Sequence, residues 1–245
     1  MKYPKVSVVI PSFNRFDSLL NAIESVHLQN YSDYEILVIN DASTEQKYYD
    51  YKFDKTTKII HLDKNQKEIN GFGPGSIRNF GTDVADGKYL AFLDDDDIWL
   101  ENKLEKQISL LESTEHKFSS TEGYFGEGSF NKNSTYQLFN KEKYFKDIKY
   151  KYRKTKYLKG DLFPGVWDKG FLDIHNCVVT SSVVVEKKIF DIKFKPLSKL
   201  SCSWLIMEFG FTANGLVSHA FTNIAVGFDP MVGTLLKGLV LKKAK

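Results

Sequence analysis

Short apolar runs separated by helical segments are the feature that most constrains the fold of this 245-residue chain. The runs are rich in β-branched and large apolar residues, which is typical of strands covered on both faces. They lie at residues 6–10, 35–40, 58–62 and 89–93. Residues 18–29 carry apolar side chains at helical spacing, and further helices are predicted over residues 75–84 and 101–111. Strands that alternate with helices predict an α/β fold with a mostly parallel, Rossmann-like sheet flanked by helices.

Polar residues follow the predicted strands directly. Asn14 lies after the first strand and Asp41 after the second, and four consecutive aspartates occupy residues 94–97. The carboxyl ends of parallel strands meet at one sheet edge, where ligands bind. Four like charges beside a buried strand repel one another unless a cation lies among them, and Mg²⁺ and Mn²⁺ prefer oxygen ligands. The pattern indicates a metal-assisted phosphate or nucleotide-sugar site, with a solvated acidic turn as the alternative.

Composition narrows the remaining classes of function. A formal net charge of +3 is too small to indicate a nucleic-acid partner. Cys177 and Cys202 provide neither a disulfide framework nor metal-ligand spacing, which fits a reducing compartment. Residues 1–5 lead straight into a strand without a signal peptide, and there is no apolar run of about 18 residues. We therefore expect a cytoplasmic protein, either soluble or peripheral on the inner membrane face.

Residues 130–160 are crowded with lysine and tyrosine. Basic and aromatic side chains together can bind nucleic acid, an anionic glycolipid or a membrane face. A solvated insertion is an equally good interpretation of the same composition. A further strand is predicted beyond this segment, at residues 178–185.

Five segments of the chain resemble glycosyltransferase family 2, whose members have the GT-A fold. The matching segments are residues 6–15, 38–43, 76–79, 87–99 and 103–104, with a weaker match at 180–185 and 189–190. The resemblance implies an inverting, metal-assisted transfer of a sugar from a nucleotide donor, which we expect to be a UDP-sugar. It further implies Mn²⁺ or Mg²⁺ as the cofactor and a bacterial surface glycan or glycolipid, such as lipooligosaccharide or capsule, as the acceptor.

The first two matching segments imply residues for the nucleoside. Pro11, Ser12 and Phe13 lie where the family holds the base and ribose, and the Phe13 ring could stack on uracil. Asn14 completes this nucleotide-binding set, although it could instead only shape a turn. Asp41 is similar to the family carboxylate that accepts a hydrogen bond from the base.

The later segments imply residues for the diphosphate and the metal. Arg78 resembles the arginine that steadies the diphosphate, although it could instead only pair with Asp41 or Asp83 at the surface. Asp94 and Asp96 form the Asp-x-Asp pattern, with Asp96 as the direct metal ligand and Asp94 beside it. Asp94 and Asp95 are also assigned to the nucleotide, with Asp95 contacting the ribose or sugar.

The general base of an inverting transferase is the missing part of this resemblance. The family carries an acidic motif shortly after the segment that corresponds to residues 194–197, but residues 201–204 contain no carboxylate. Glu208 is the nearest acid and is our candidate catalytic residue. A chain that binds nucleotide and metal without transferring sugar is the alternative interpretation.

The composition also changes from residue 200 onward. Only six charged residues lie there, although the chain has 34 basic and 31 acidic residues. A reading-frame change would explain this shift in composition. With one choice of codons for residues 204–211, deletion of two bases gives a sequence that encodes Ala-Asp-Tyr-Gly-Ile-Trp-Ile, which resembles the missing acidic motif. A membrane-associating basic helix over residues 230–245 and a disordered tail are the alternatives.

These patterns divide the chain into three parts. The expected parts are a nucleotide-sugar-binding half (residues 1–112), an acceptor-side half with the lysine- and tyrosine-rich insertion (113–199) and an atypical tail (200–245).

Overall fold

The computed structural model describes residues 5–70, 73–126, 133–175 and 177–189, together with the backbone of residues 226–227 and 238–239. Its strands are β1 (Val6–Ser12), β2 (Tyr34–Asn40), β3 (Thr57–His61), β4 (Tyr89–Phe92), β5 (Phe118–Ser119), β6 (Gly123–Phe125), β7 (Gln137–Leu138), β8 (Val166–Trp167), β9 (Val184–Glu186), β10 (Val226–Gly227) and β11 (Gly238–Leu239). The main sheet has the strand order β3-β2-β1-β4-β9-β5. Strands β1 to β4 are parallel, and β9 runs antiparallel to both β4 and β5. This is the mostly parallel sheet that the sequence predicts.

Helices cover both faces of the sheet. They are α1 (Phe16–His27), α2 (Lys47–Asp50), α3 (Gln66–Asn70), α4 (Pro74–Val84), α5 (Lys103–Ser113), α6 (Phe145–Tyr152) and α7 (Lys169–Ile174). Side chains alternate between the two faces of a strand, so Val9 of β1 packs in one apolar cluster while Val8 and Ile10 pack in the other. Helices α4, α6 and α7 contribute to the first cluster, and α1 and α5 contribute to the second.

The residues beyond 112, which the sequence predicts to be an acceptor-side half, extend the same sheet. The predicted boundary at residue 112 falls at the end of α5, and β5 and β9 beyond it add two strands to β4. The predicted strand over residues 178–185 is wrong in extent, because Thr180–Ser182 forms a 3₁₀ turn and the paired strand comprises only Val184–Glu186.

The lysine- and tyrosine-rich segment is partly core. Tyr152 of α6 is fully buried, stacks on Phe171 with 4.5 Å between ring centroids and donates a hydrogen bond to its carbonyl oxygen. Tyr150 on the same helix is exposed. Only part of this segment is therefore the solvated surface that one interpretation of its composition suggests.

Across the described ranges, no helix combines the length and apolar character needed to cross a bilayer. Glu208 and most of the residues on which the tail hypotheses depend lie outside the described residues. Within the predicted basic helix over residues 230–245, Gly238–Leu239 instead forms the short strand β11, so a continuous helix there is wrong.

Candidate active site

A cleft of about 550 Å³ opens at the sheet edge where β1, β2 and β4 end. Eight of the nine nucleotide- and metal-binding residues predicted from the donor half line it, together with six residues from the adjoining loops, α3 and α4. The lining residues are Pro11, Ser12, Phe13, Arg15, Asp41, Asn65, Lys67, Gly73, Pro74, Ile77, Arg78, Asp94, Asp95 and Asp96. The parallel register brings these distant segments together, because each strand delivers its following loop to the same edge.

The four aspartates after β4 have different surroundings. Asp94 forms an ion pair with Arg78, whose side chain is fully buried under the cleft. Asp95 and Asp97 are buried, while Asp96 remains partly exposed. One carboxylate oxygen from each of Asp94, Asp96 and Asp97 lies within 4.8 Å of the others. These oxygen donors fit a hard divalent cation such as Mg²⁺ or Mn²⁺.

The fold changes the pKa of the buried Asp95 carboxylate. Burial raises the pKa to about 6, and the charges of Asp94 and Asp96 act in the same direction. A hydrogen bond from Ser12 Oγ at 2.8 Å and the positive charge of Arg15 act in the opposite direction. The same Ser12 hydroxyl contacts the buried hydroxyl of Tyr48, so β1 and α2 both support Asp95.

Arg15 is a site residue that sequence reasoning missed. Its Nη1 atom lies 2.7 Å from Asp96 Oδ2 and 3.3 Å from Asp95 Oδ1. The side chain is about half exposed, so it reaches the acidic loop across the mouth of the cleft. Its place in the first matching segment was the only available signal, because its partners lie some 80 residues away in the sequence.

Asp41 closes the opposite side of the cleft. Its buried carboxylate accepts hydrogen bonds from the Gln66 backbone N–H at 2.8 Å and from Asn65 Nδ2 at 2.9 Å. Burial raises the pKa of Asp41, and the Gln66 hydrogen bond partly opposes this effect. Asp41 thereby holds the start of α3 and brings Asn65 and Lys67, neither of which the sequence singled out, to the cleft.

The structure places Phe13 and Asn14 differently. Phe13 is 43% exposed and its ring lines the cleft, where a flat base could stack on it. Asn14 does not line the cleft. It has a φ of 49°, and its Oδ1 atom accepts a hydrogen bond from the Thr44 N–H at 2.8 Å. Asn14 thus joins the loops after β1 and β2, and its role in nucleotide binding stays a prediction.

A general base is not identified among these side chains. Glu122, a buried carboxylate of the acceptor-side part, accepts hydrogen bonds from the backbone N–H groups of Gly123, Asn140 and Lys141. It therefore holds the loop before β6 against the π-helical turn Phe139–Lys143.

The sequence of this chain is similar to a known protein family and to individual members of it. The model of the family described as glycosyl transferase family 2 matches residues 7–167. An uncharacterized glycosyltransferase of Rickettsia bellii (strain RML369-C) is 44% identical over 117 residues, which cover 48% of this chain and 16% of that protein. In Escherichia coli, the UDP-Glc:alpha-D-GlcNAc-diphosphoundecaprenol beta-1,3-glucosyltransferase WfaP is 34% identical over 125 residues, covering 51% of this chain and 48% of WfaP. The chain thus matches less than half the length of either relative.

A solved structure supports the same fold. The crystal structure of S. aureus TarS 1-349 in complex with UDP-GlcNAc superimposes with a TM-score of 0.61 at 17% identity, covering 98% of this chain and 59% of that one. At this identity the likeness concerns the fold, which is the GT-A arrangement of a mostly parallel sheet flanked by helices. Since the family match covers more than half of the sequence and includes the whole cleft, the chain belongs to glycosyl transferase family 2.

Proposed function

We propose that this chain transfers a sugar from a UDP-sugar to a glycan or glycolipid acceptor in the synthesis of a bacterial surface polysaccharide, with inversion at the transferred carbon. One observation carries the proposal: residues from β1, β2, α4 and the aspartate loop, far apart in sequence, line a single cleft. A stacking ring, a buried arginine and a set of carboxylates are the groups that a nucleoside diphosphate with a metal ion requires.

The nucleoside end of the cleft is assigned to Phe13 and Asp41. Phe13 offers an exposed aromatic face to the uracil ring. Asp41 offers acceptor oxygens to an N–H of the base, and its hydrogen bonds to Asn65 and Gln66 hold the carboxylate in place. Ser12 and Asp95, which are hydrogen-bonded to each other, are assigned to the ribose or the sugar.

The diphosphate end is assigned to Arg78 and the aspartate loop. Arg78 presents a guanidinium to phosphate oxygens from a buried position where Asp94 orients it. Asp96 and Asp94 would hold Mn²⁺ or Mg²⁺, and Asp97 contributes a third nearby carboxylate. The bound ion would act as a Lewis acid that stabilises the charge on the departing UDP.

The acceptor is inferred from relatives. The name of WfaP specifies UDP-Glc as the donor and a diphosphoundecaprenol-linked sugar as the acceptor. A lipid-linked acceptor of this kind would place the enzyme at the cytoplasmic face of the membrane in peripheral contact.

A second candidate function is binding of UDP and metal without transfer. It is favoured by the sequence of residues 201–204, where the family resemblance implies a carboxylate and none is present. Inverting transfer without a general base would leave the acceptor hydroxyl poorly activated.

The experiment that separates these functions measures UDP release and product formation. The protein is incubated with UDP-glucose, Mn²⁺ and GlcNAc-diphosphoundecaprenol, and the products are separated chromatographically. Metal-dependent product formation that is lost in Asp96→Ala supports transfer, with Asp50→Ala on the surface of α2 as the control. Nucleotide binding without product formation from UDP-glucose and GlcNAc-diphosphoundecaprenol supports binding without transfer for these two substrates. Absence of both nucleotide binding and product formation contradicts the proposal.

A further inference from the structure

Ser181 forms hydrogen bonds with three residues of the acidic loop that follows β4 (residues 94–99), namely Asp94, Asp97 and Trp99. These partners lie 82 to 87 residues before it in the sequence. It lies in the 3₁₀ turn Thr180–Ser182, immediately before β9, and is almost fully buried. Its Oγ atom accepts a hydrogen bond from the Asp94 N–H at 3.0 Å and donates one to Asp97 Oδ2 at 2.5 Å. Its carbonyl oxygen accepts a hydrogen bond from Trp99 Nε1 at 2.6 Å.

These contacts use the Ser181 hydroxyl in both directions. A serine hydroxyl has one proton to donate and lone pairs to accept with. The proton points to a buried carboxylate, and a lone pair faces the first backbone N–H of the aspartate run. Ser181 therefore fixes the backbone at Asp94 and one carboxylate oxygen of Asp97, which are two parts of the same carboxylate cluster.

The turn that carries Ser181 is itself held firmly. The Val183 carbonyl oxygen accepts a hydrogen bond from the Phe92 N–H of β4 at 3.2 Å. The Ser182 carbonyl oxygen accepts one from Gln107 Nε2 of α5 at 3.0 Å. Because the turn is anchored to both β4 and α5, the Ser181 hydroxyl is a preorganised partner for the acidic loop.

We propose that Ser181 is a positioning residue for the metal-binding carboxylates, through which the segment leading into β9 sets the geometry of the donor cleft. This inference rests on the proposed function, since it assigns a metal ion to the carboxylates of Asp94, Asp96 and Asp97. Groups that orient metal ligands through hydrogen bonds change metal affinity by about 10–100-fold when they are removed. The proposal predicts a change of this size for Ser181→Ala.

Ser182→Ala is the matched control. Ser182 lies in the same turn and is equally buried, but its Oγ atom donates to the Val179 carbonyl oxygen at 2.6 Å and not to the acidic loop. Both variants lose one buried hydroxyl from the same short turn. A purely structural role would affect them alike, whereas a positioning role separates them. Ser181→Thr, which keeps the hydroxyl, is expected to retain Mn²⁺ affinity.

The test measures Mn²⁺ binding at saturating UDP from the electron paramagnetic resonance signal of unbound Mn²⁺, and UDP binding without metal by calorimetry. Ser181→Ala should weaken Mn²⁺ binding about 10–100-fold, while its UDP affinity without metal stays within about threefold of the wild-type value. The Mn²⁺ affinities of Ser182→Ala and Ser181→Thr should also stay within about threefold of the wild-type value. Equal Mn²⁺ affinity in Ser181→Ala and wild type, or an equal loss in Ser182→Ala, would overturn the proposal.

A second measurement needs no metal. Amide hydrogen exchange in the peptide that contains residues 94–99 should be faster in Ser181→Ala than in Ser182→Ala, because the Asp94 N–H loses its acceptor. Exchange that is unchanged in Ser181→Ala overturns the positioning role even if this variant binds Mn²⁺ more weakly. Wild-type protein that binds no Mn²⁺ contradicts the proposed function, and with it the metal role of Ser181. That outcome is seen in the wild-type arm before any variant is compared.

Discussion

Replacing Gly81 by alanine tests whether close packing of α4 on β1 sets the position of the cleft. A Cβ atom at Gly81 would lie 2.3 Å from Cγ1 of Val9 and 3.3 Å from Cγ1 of Ile39. Both of these side chains are fully buried in the sheet. Since the shorter distance is far below van der Waals contact, either α4 or Val9 must move to accommodate the methyl group.

The expected magnitude follows from two opposing effects. Overpacking of a buried contact costs about 1–3 kcal/mol, and the higher helix propensity of alanine returns up to about 1 kcal/mol. We expect Gly81→Ala to lower the free energy of unfolding by about 1–2 kcal/mol. Because α4 also carries Arg78, a displacement of the helix should weaken UDP binding in the same variant.

Urea unfolding of Gly81→Ala, Val9→Ala and the double variant measures the effect. Val9→Ala alone should cost about 2 kcal/mol for its two lost methyl groups. It also makes room for the new Cβ, so the double variant should be more stable than the sum of the single losses by about 1 kcal/mol. Strict additivity, or a Gly81→Ala variant as stable as wild type, would show that the contact between Gly81 and Val9 does not set the position of α4.

Three further predictions concern charge and backbone geometry. Arg15→Gln should bind Mn²⁺ up to about fivefold more tightly, because Mn²⁺ no longer has to displace Arg15 from Asp96. This half-exposed ion pair is worth about 0.2–1 kcal/mol. Unchanged or weaker Mn²⁺ binding in a calorimetric titration contradicts this prediction. The pKa of Glu35 lies below its usual value of 4.5. Burial alone would raise this pKa, but hydrogen bonds from Ser7, a backbone N–H and Lys58 outweigh the effect of burial. Wild-type stability relative to Glu35→Gln should therefore be greatest above pH 4.5 and shrink as pH falls through the lower folded pKa, which urea unfolding across this range would detect. Asn14→Ala should lose about 1–2 kcal/mol in urea unfolding, since alanine tolerates its positive φ poorly; equal stability would show that the turn relaxes.

The donor half could be predicted from sequence because its signals are local. Each apolar run of β1, β2 and β4 is continuous, and the polar residue after it is adjacent in the chain. Parallel pairing then brings those residues to one edge without further information. For this reason the strand ends predict Asn14, Asp41 and the aspartates at one edge, whereas Phe13 is predicted there only by the family resemblance.

The contacts that complete the site could not be predicted in this way. The ion pairs of Arg15 with Asp95 and Asp96 and the hydrogen bonds of Ser181 join segments that are some 80 residues apart. Residues 178–185 form an apolar, β-branched run, yet hydrogen bonds to the acidic loop and to Gln107 hold part of that run as a turn. Asn14 lies in a motif that resembles a nucleotide-binding segment, but its positive φ directs it to the neighbouring loop.

The proposed function requires the cleft to bind a nucleoside diphosphate together with a divalent metal. Calorimetric titration of UDP into the wild-type protein, with and without Mn²⁺ and alongside Asp96→Ala, tests it most directly. We expect UDP to bind about tenfold or more tightly with Mn²⁺ than without it, and we expect Asp96→Ala to lose this gain. UDP affinity that is the same with and without Mn²⁺, or no binding by the folded protein, would contradict it.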